Sequence, residues 1–226
     1  MTSIRRTIAI RNRLKCDSDS MGMQNFYHKY DLPNDVVLDS SVAIDCEAMG
    51  LAISRDRLCV VQIADVMGNV HVVHFPKPEY SAPNLKKFLS DEKILKIFHF
   101  ARFDLSAIYH YLGVEMKNIY CTKLASRLVR TYTDSHSLRE LCAELLGIKI
   151  SKQQQCSDWG SDDLTEPQIE YAASDVVHLH ALRLKLNQML IRENRMAIVQ
   201  RCFDFLPARA VLDTIGWDNV DIFAHH

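Results

Sequence analysis

Residues 58–64 and 70–75 are two apolar runs separated by only five residues, among them the turn dipeptide Gly68-Asn69. A connection that short cannot carry a parallel crossover, so the two runs must pair as antiparallel strands. Cys59, Val61 and Ile63 share one face of the first. The runs at 42–47 and 94–100 read as further strands, as does a short stretch at 118–121. Helical spacing is predicted over 85–89, 103–112, 122–131, 137–146 and 167–191. Gly147 supplies a helix stop, and Thr165 with Pro167 a helix start. Strands first, then strands and helices alternating, predict an α/β architecture with a mixed sheet covered by helices. The 226 residues, 48% of them hydrophobic, suffice for one large domain.

The chemistry-bearing residues sit at the ends of these elements. Asp45 and Glu47 close the run at 42–47, and a strand puts positions two apart on one face. Two adjacent carboxylates repel unless a cation neutralises them. Asp104 follows the aromatic stretch Phe98-His99-Phe100-Ala101-Arg102-Phe103, where a strand turns into a helix. Taken alone, Asp104 there is an ordinary first-turn acid. Tyr171 and Asp175 are four apart on a predicted helix, so a phenol and a carboxylate project from one face. Oxygen-only acidic ligands select hard cations such as Mg²⁺ or Mn²⁺. Four carboxylates are enough to hold two ions per site, the arrangement that serves in-line phosphoryl displacement.

Asp45-x-Glu47, Asp104 at its strand–helix junction, and Tyr171-x-x-x-Asp175, in this order, resemble the three exonuclease motifs of the DEDD superfamily. The tyrosine marks the DEDDy, ribonuclease D-like branch. The similarity runs from about Asp31 to the end of the chain. It includes segments 121–127, 153–159 and 205–210, which look most like the bacterial nanoRNase C oligoribonucleases. Cys46 stands where Thr is common. The resemblance implies a ribonuclease H-like (DnaQ-like exonuclease) fold with a mixed five-to-six-stranded sheet. It implies a 3′–5′ exoribonuclease that degrades oligoribonucleotides of a few nucleotides to nucleoside 5′-monophosphates. Ribonuclease D-like trimming of longer RNA, or a DNA-active exonuclease, is the alternative. Asp45, Glu47, Asp104, Tyr171 and Asp175 would be catalytic, the four acids holding the metal and Tyr171 orienting the attacking water. A phenol titrating near ~10 is a poor base at neutral pH, which leaves Tyr171 a positioning role. Leu51 would wedge between terminal bases. His99, Arg102 and Lys123 are candidate substrate contacts, whereas Phe98, Phe100 and Phe103 are expected in the core. The resemblance also implies a homo-oligomeric ring, an octamer built from dimers, for which the apolar tail 217–223 is a candidate interface.

The formal net charge of −1 excludes a protein that coats long nucleic acid by general basicity, and fits a short single-stranded RNA substrate. Seven cysteines, an odd number without a Cys-x-x-Cys pair, argue against a zinc site and a secreted disulfide framework. They are expected as reduced thiols in a cytoplasmic protein. No apolar run approaches the ~20 residues of a membrane span. Residues 1–24 stand apart, with Arg5, Arg6, Arg11, Arg13 and Lys15 and no acid in the first fifteen. They are expected to be an unstructured extension before a start at Met21 or Met23; a basic arm or presequence is the alternative. Residues 25–226 would be the single exonuclease domain. In the polar stretch 148–163, Trp159 is expected either to anchor the loop or, with Lys152 and Gln153 to Gln155, to belong to a groove or subunit contact.

Overall fold

The computed structural model describes residues 8–10, 23–150 and 157–225. One mixed sheet organises them. Its strands are β1 (Ile8–Ile10), β2 (Asn25–Lys29), β3 (Ser41–Ala48), β4 (Leu58–Ala64), β5 (Val70–His74), β6 (Leu95–Phe98) and β7 (Ile119–Cys121). They lie in the order β1-β2-β5-β4-β3-β6-β7. The hairpin expected from residues 58–75 is present, with β4 antiparallel to β5. Gly68, at φ +85, makes its turn, and the Asp65 carboxylate accepts from Met67 N and Asn69 N. Every residue of β4 is buried, so this strand is the floor of the core.

β3 lies between β4, to which it is antiparallel, and β6, to which it is parallel. The site thus grows from the middle of the sheet, where both neighbours hold the backbone. Among the described residues seven α-helices flank it: α1 (Pro83–Leu89), α2 (Ala101–Leu112), α3 (Thr122–Val129), α4 (Leu138–Leu141), α5 (Glu166–Val176), α6 (Leu179–Arg192) and α7 (Met196–Leu212). The start of α5 is a capping box, Thr165 and Gln168 bonding reciprocally, with proline in the first turn as expected.

Three elements differ from the sequence reading. The predicted helix 167–191 is two helices, because the chain turns at Val177 and His178 and α6 packs against α3 and β6. No glycine or proline marks that turn, so tertiary packing decides it. The strand β2, which pairs in parallel with β5, has no clear alternation and was not foreseen. Among the described residues the sheet has the expected six strands from β2 to β7, and Ile8–Ile10 adds a seventh at its edge. Those three residues of the N-terminal extension are therefore in a strand, and the remainder of 1–22 lies outside the described residues, as do Lys152 and Gln153 to Gln155.

Candidate active site

Asp45 and Glu47 project from one face of β3, just before a register shift at Glu47/Ala48. Asp175 comes from the last turn of α5. One oxygen from each of Asp45, Glu47 and Asp175 lies within 4.8 Å of the others. Asp104, in the first turn of α2, is 2% exposed and faces the Cys46 thiol and backbone N–H. Its Oδ1 is buried with no hydrogen-bond partner among the described residues. Among the described residues, no ion pair involves any of these four acids.

Buried acids without a cation hold their protons. Burial, then the Asp104, Glu47 and Asp175 charges, push the Asp45 carboxyl well above its usual range. Burial does the same to Glu47 and Asp104, with Asp175 and Asp104 adding to the effect on Glu47. Burial raises Asp175 to about 6, against a lowering contribution from the Tyr171 hydroxyl that faces it. Tyr171 is itself pushed above the usual phenol range, first by burial and then by Asp175. It is therefore a neutral O–H group near neutral pH, a donor rather than a base. An orphaned buried carboxylate oxygen beside a nest of uncompensated acids fits a hard divalent cation.

The acids open into a cavity of about 300 Å³ lined by Asp45, His99, Phe100, Lys123, Arg139 and Tyr171, among others. His99 and Lys123 thus line the same cavity as Asp45 and Asp175. His99 is not a cationic contact, however. The Thr122 hydroxyl donates to Phe98 O, so its oxygen accepts from His99 Nδ1 at 2.9 Å, and burial with the nearby Lys123 lowers the imidazole to about 3. The cations at this wall are Lys123 and Arg139.

Leu51, 85% exposed, and Arg102 line an adjoining cavity of about 420 Å³. Phe100 borders both cavities. Arg102 does not reach toward the acids as expected of a phosphate contact. Its guanidinium donates to both oxygens of Asp213, at 2.6 and 2.8 Å, and to Asp218 O at 2.6 Å. That ties α2 to the C-terminal segment. Phe98 is in the core as expected, but Phe100 is not. It sits at φ +67, a left-handed conformation costly for a bulky residue, which turns its ring out under the Lys123 ammonium, 4.4 Å from the centroid. Trp159 takes the anchoring role. It is 2% exposed, its ring lies 6.1 Å from that of Tyr171, and Arg57 holds the next carbonyl, Gly160 O, at 3.0 Å.

Two residues at the site carried no signal in the sequence. Gln62 is opposite Asp45 in the β3–β4 register and donates through Nε2 to Asp45 Oδ2 at 2.7 Å. Arg139 arrives from the short helix α4. Register was the one handle on Gln62; nothing local marks Arg139.

A 3′–5′ exonuclease family profile matches residues 24–191. A ribonuclease D of Gluconacetobacter diazotrophicus is 34% identical over 155 residues, covering 69% of this chain but 39% of that protein. The chain thus spans about two fifths of the length of that curated relative. Among solved structures, Brucella melitensis NrnC bound to pGG is 49% identical, with a TM-score of 0.87 over 91% of this chain and 100% of that one. The same protein with bound Mg²⁺ gives 49% identity and a TM-score of 0.84 over 88% of this chain and 98% of that one.

Proposed function

The chain belongs to the 3′–5′ exonuclease family, in its DEDDy, ribonuclease D-like branch, and from that premise we propose that it hydrolyses short oligoribonucleotides from the 3′ end to nucleoside 5′-monophosphates. The observation that carries this reading is the cluster of half-buried acids that no cation pairs with among the described residues, opening into a cavity walled by Lys123 and Arg139. Asp45, Glu47, Asp104 and Asp175 would hold two divalent ions, Mg²⁺ or Mn²⁺, which supply Lewis-acid polarisation of the phosphate and an activated water. The Mg²⁺ in the Brucella relative supports that metal class, and its pGG supports a short substrate.

The chain's own residues do the rest. Tyr171 keeps its phenolic proton and orients the attacking water by accepting or donating at its hydroxyl oxygen. Lys123 and Arg139 meet phosphate charge, while Phe100 and Leu51 offer apolar surface to bases. The first cavity is at the small end of ligand-site sizes, which supports a substrate of few nucleotides. Closure by neighbouring subunits belongs to this reading, in a homo-oligomeric ring, an octamer built from dimers. Exposed Trp217, Val220, Ile222 and Phe223 are its candidate contacts. Among the described residues no helix is long and apolar enough to cross a membrane. The described cysteines are free thiols, in keeping with a cytoplasmic setting.

The test is turnover of 5′-labelled two-, seven- and twenty-nucleotide RNAs, with the assembly mass measured on the same sample. A steep preference for the shortest is expected. Equal rates at all lengths would instead favour trimming of longer RNA.

A further inference from the structure

We propose that Gln62 is a positioning residue of the site, its amide holding Asp45 in the orientation that leaves the second carboxylate oxygen for a divalent ion. This rests on the metal reading of the acid cluster given above.

Gln62 is fully buried in β4 among Val60, Val61 and Ile63, an interior that an apolar side chain would fill at less cost. It stands directly opposite Asp45 across an antiparallel pair, so both side chains leave the sheet on one face. Its Nε2 donates to Asp45 Oδ2 at 2.7 Å. With a divalent ion bound Asp45 is ionised and only accepts, so the amide nitrogen is the end that serves it, since the amide oxygen would meet the carboxylate lone pair to lone pair. The amide oxygen, Oε1, is then left buried without a partner among the described residues. The fold thus tolerates an orphaned acceptor in its central strand to keep one donor on Asp45. The charged groups facing that carboxylate are acids, Glu47, Asp104 and Asp175, and the Cys46 backbone N–H is a further donor to it. Among the described residues, Gln62 is the side-chain donor that sets the Asp45 rotamer. Such outer partners commonly change metal affinity ten- to hundredfold when removed.

Gln62→Met keeps the shape and removes the donor; Gln62→Asn keeps the amide and shortens its reach. Metal-free wild type and both variants are titrated with Mn²⁺, free ion being read by electron paramagnetic resonance, and unfolded by urea with chelator present. Mn²⁺ affinity should fall roughly ten- to hundredfold in both variants. The urea midpoint of Gln62→Met should be no lower than that of wild type, since the orphaned oxygen goes too. In the loaded enzyme kcat should fall with KM little changed. Either folded variant binding Mn²⁺ within twofold of wild type overturns the proposal, as does a lowered midpoint with unaltered affinity, the result expected of a purely structural glutamine. Wild type that binds no Mn²⁺ overturns the metal reading itself, a distinct failure.

Discussion

At the scale of single residues, the site is a set of unfavourable choices that only a ligand makes sensible. Asp175 has a folded value of about 6, above that of a free carboxyl because of burial. A group raised in this way lends stability in acid and loses it as pH rises through its folded value. In metal-free protein, Asp175→Asn should therefore abolish hydrolysis yet raise unfolding free energy by about 1–2 kcal/mol near pH 8, and by less near pH 5. Urea melts of wild type and variant at both pH values check this; a destabilised Asn variant at the higher pH would show that the acid is structural. Tyr171 is the converse, a group whose proton is held fast. Tyr171→Phe should cost about a hundredfold in kcat through lost orientation of water, and leave Mn²⁺ affinity unchanged. Steady-state kinetics beside a Mn²⁺ titration separates those two effects.

At the scale of elements, the pair β2–β5 is the most acid-sensitive part of the sheet. It carries His28, His71 and His74, with His28 Nε2 3.0 Å from His71 Nδ1 and Tyr27 Oη 2.6 Å from His74 Nδ1. Burial lowers His28 and His74 to about 4 each, helped by His71 for the first and opposed by the Trp159 carbonyl for the second. His71 is lowered as well, again by burial. Folded values below the unfolded one mean that stability is complete above pH ~6.5 and is lost as pH falls toward ~4. Amide exchange in β2 and β5, corrected for intrinsic rates, should therefore speed up between pH 7 and 5 more than in β3. Equal protection changes in β3 and β5 would dispose of this idea. The same scale explains the break between α5 and α6. Its position follows from where α3 and β6 lie rather than from any residue at the turn.

For the whole molecule, ion binding and folding are linked, since the acids converge only in the folded chain. Chelation should lower the melting temperature, and Mn²⁺ or Mg²⁺ should restore it. The gain is about 2.7 kcal/mol at a hundredfold excess over the dissociation constant. Calorimetry with and without chelator measures it, and a melting temperature indifferent to both ions would exclude a metal site here. The tail is fastened by a shared acid and by its own carbonyls, Arg102 donating to Asp218 O and Arg209 to Val220 O. Asp213 accepts from Arg102 and from Arg209, whose Nη2 lies 2.6 Å from Oδ1. The segment carrying Trp217 and Phe223 is thus tied directly to the helix that begins beside Asp104.

Local chemistry was enough for much of this. The hairpin β4–β5, the acid pair on β3, Asp104 at a helix start and the Thr165–Gln168 box all depend on neighbours within a few residues, and such interactions are readable along the chain. The convergence of Asp45, Glu47 and Asp175, the turning out of Phe100 and the diversion of Arg102 to Asp213 are different in kind. Each depends on partners distant in sequence, and the arrangement is decided by the total burial and charge balance of the packed chain. Gln62 shows the boundary most plainly, being an unremarkable residue within an apolar run until strand register sets it against the Asp45 carboxylate.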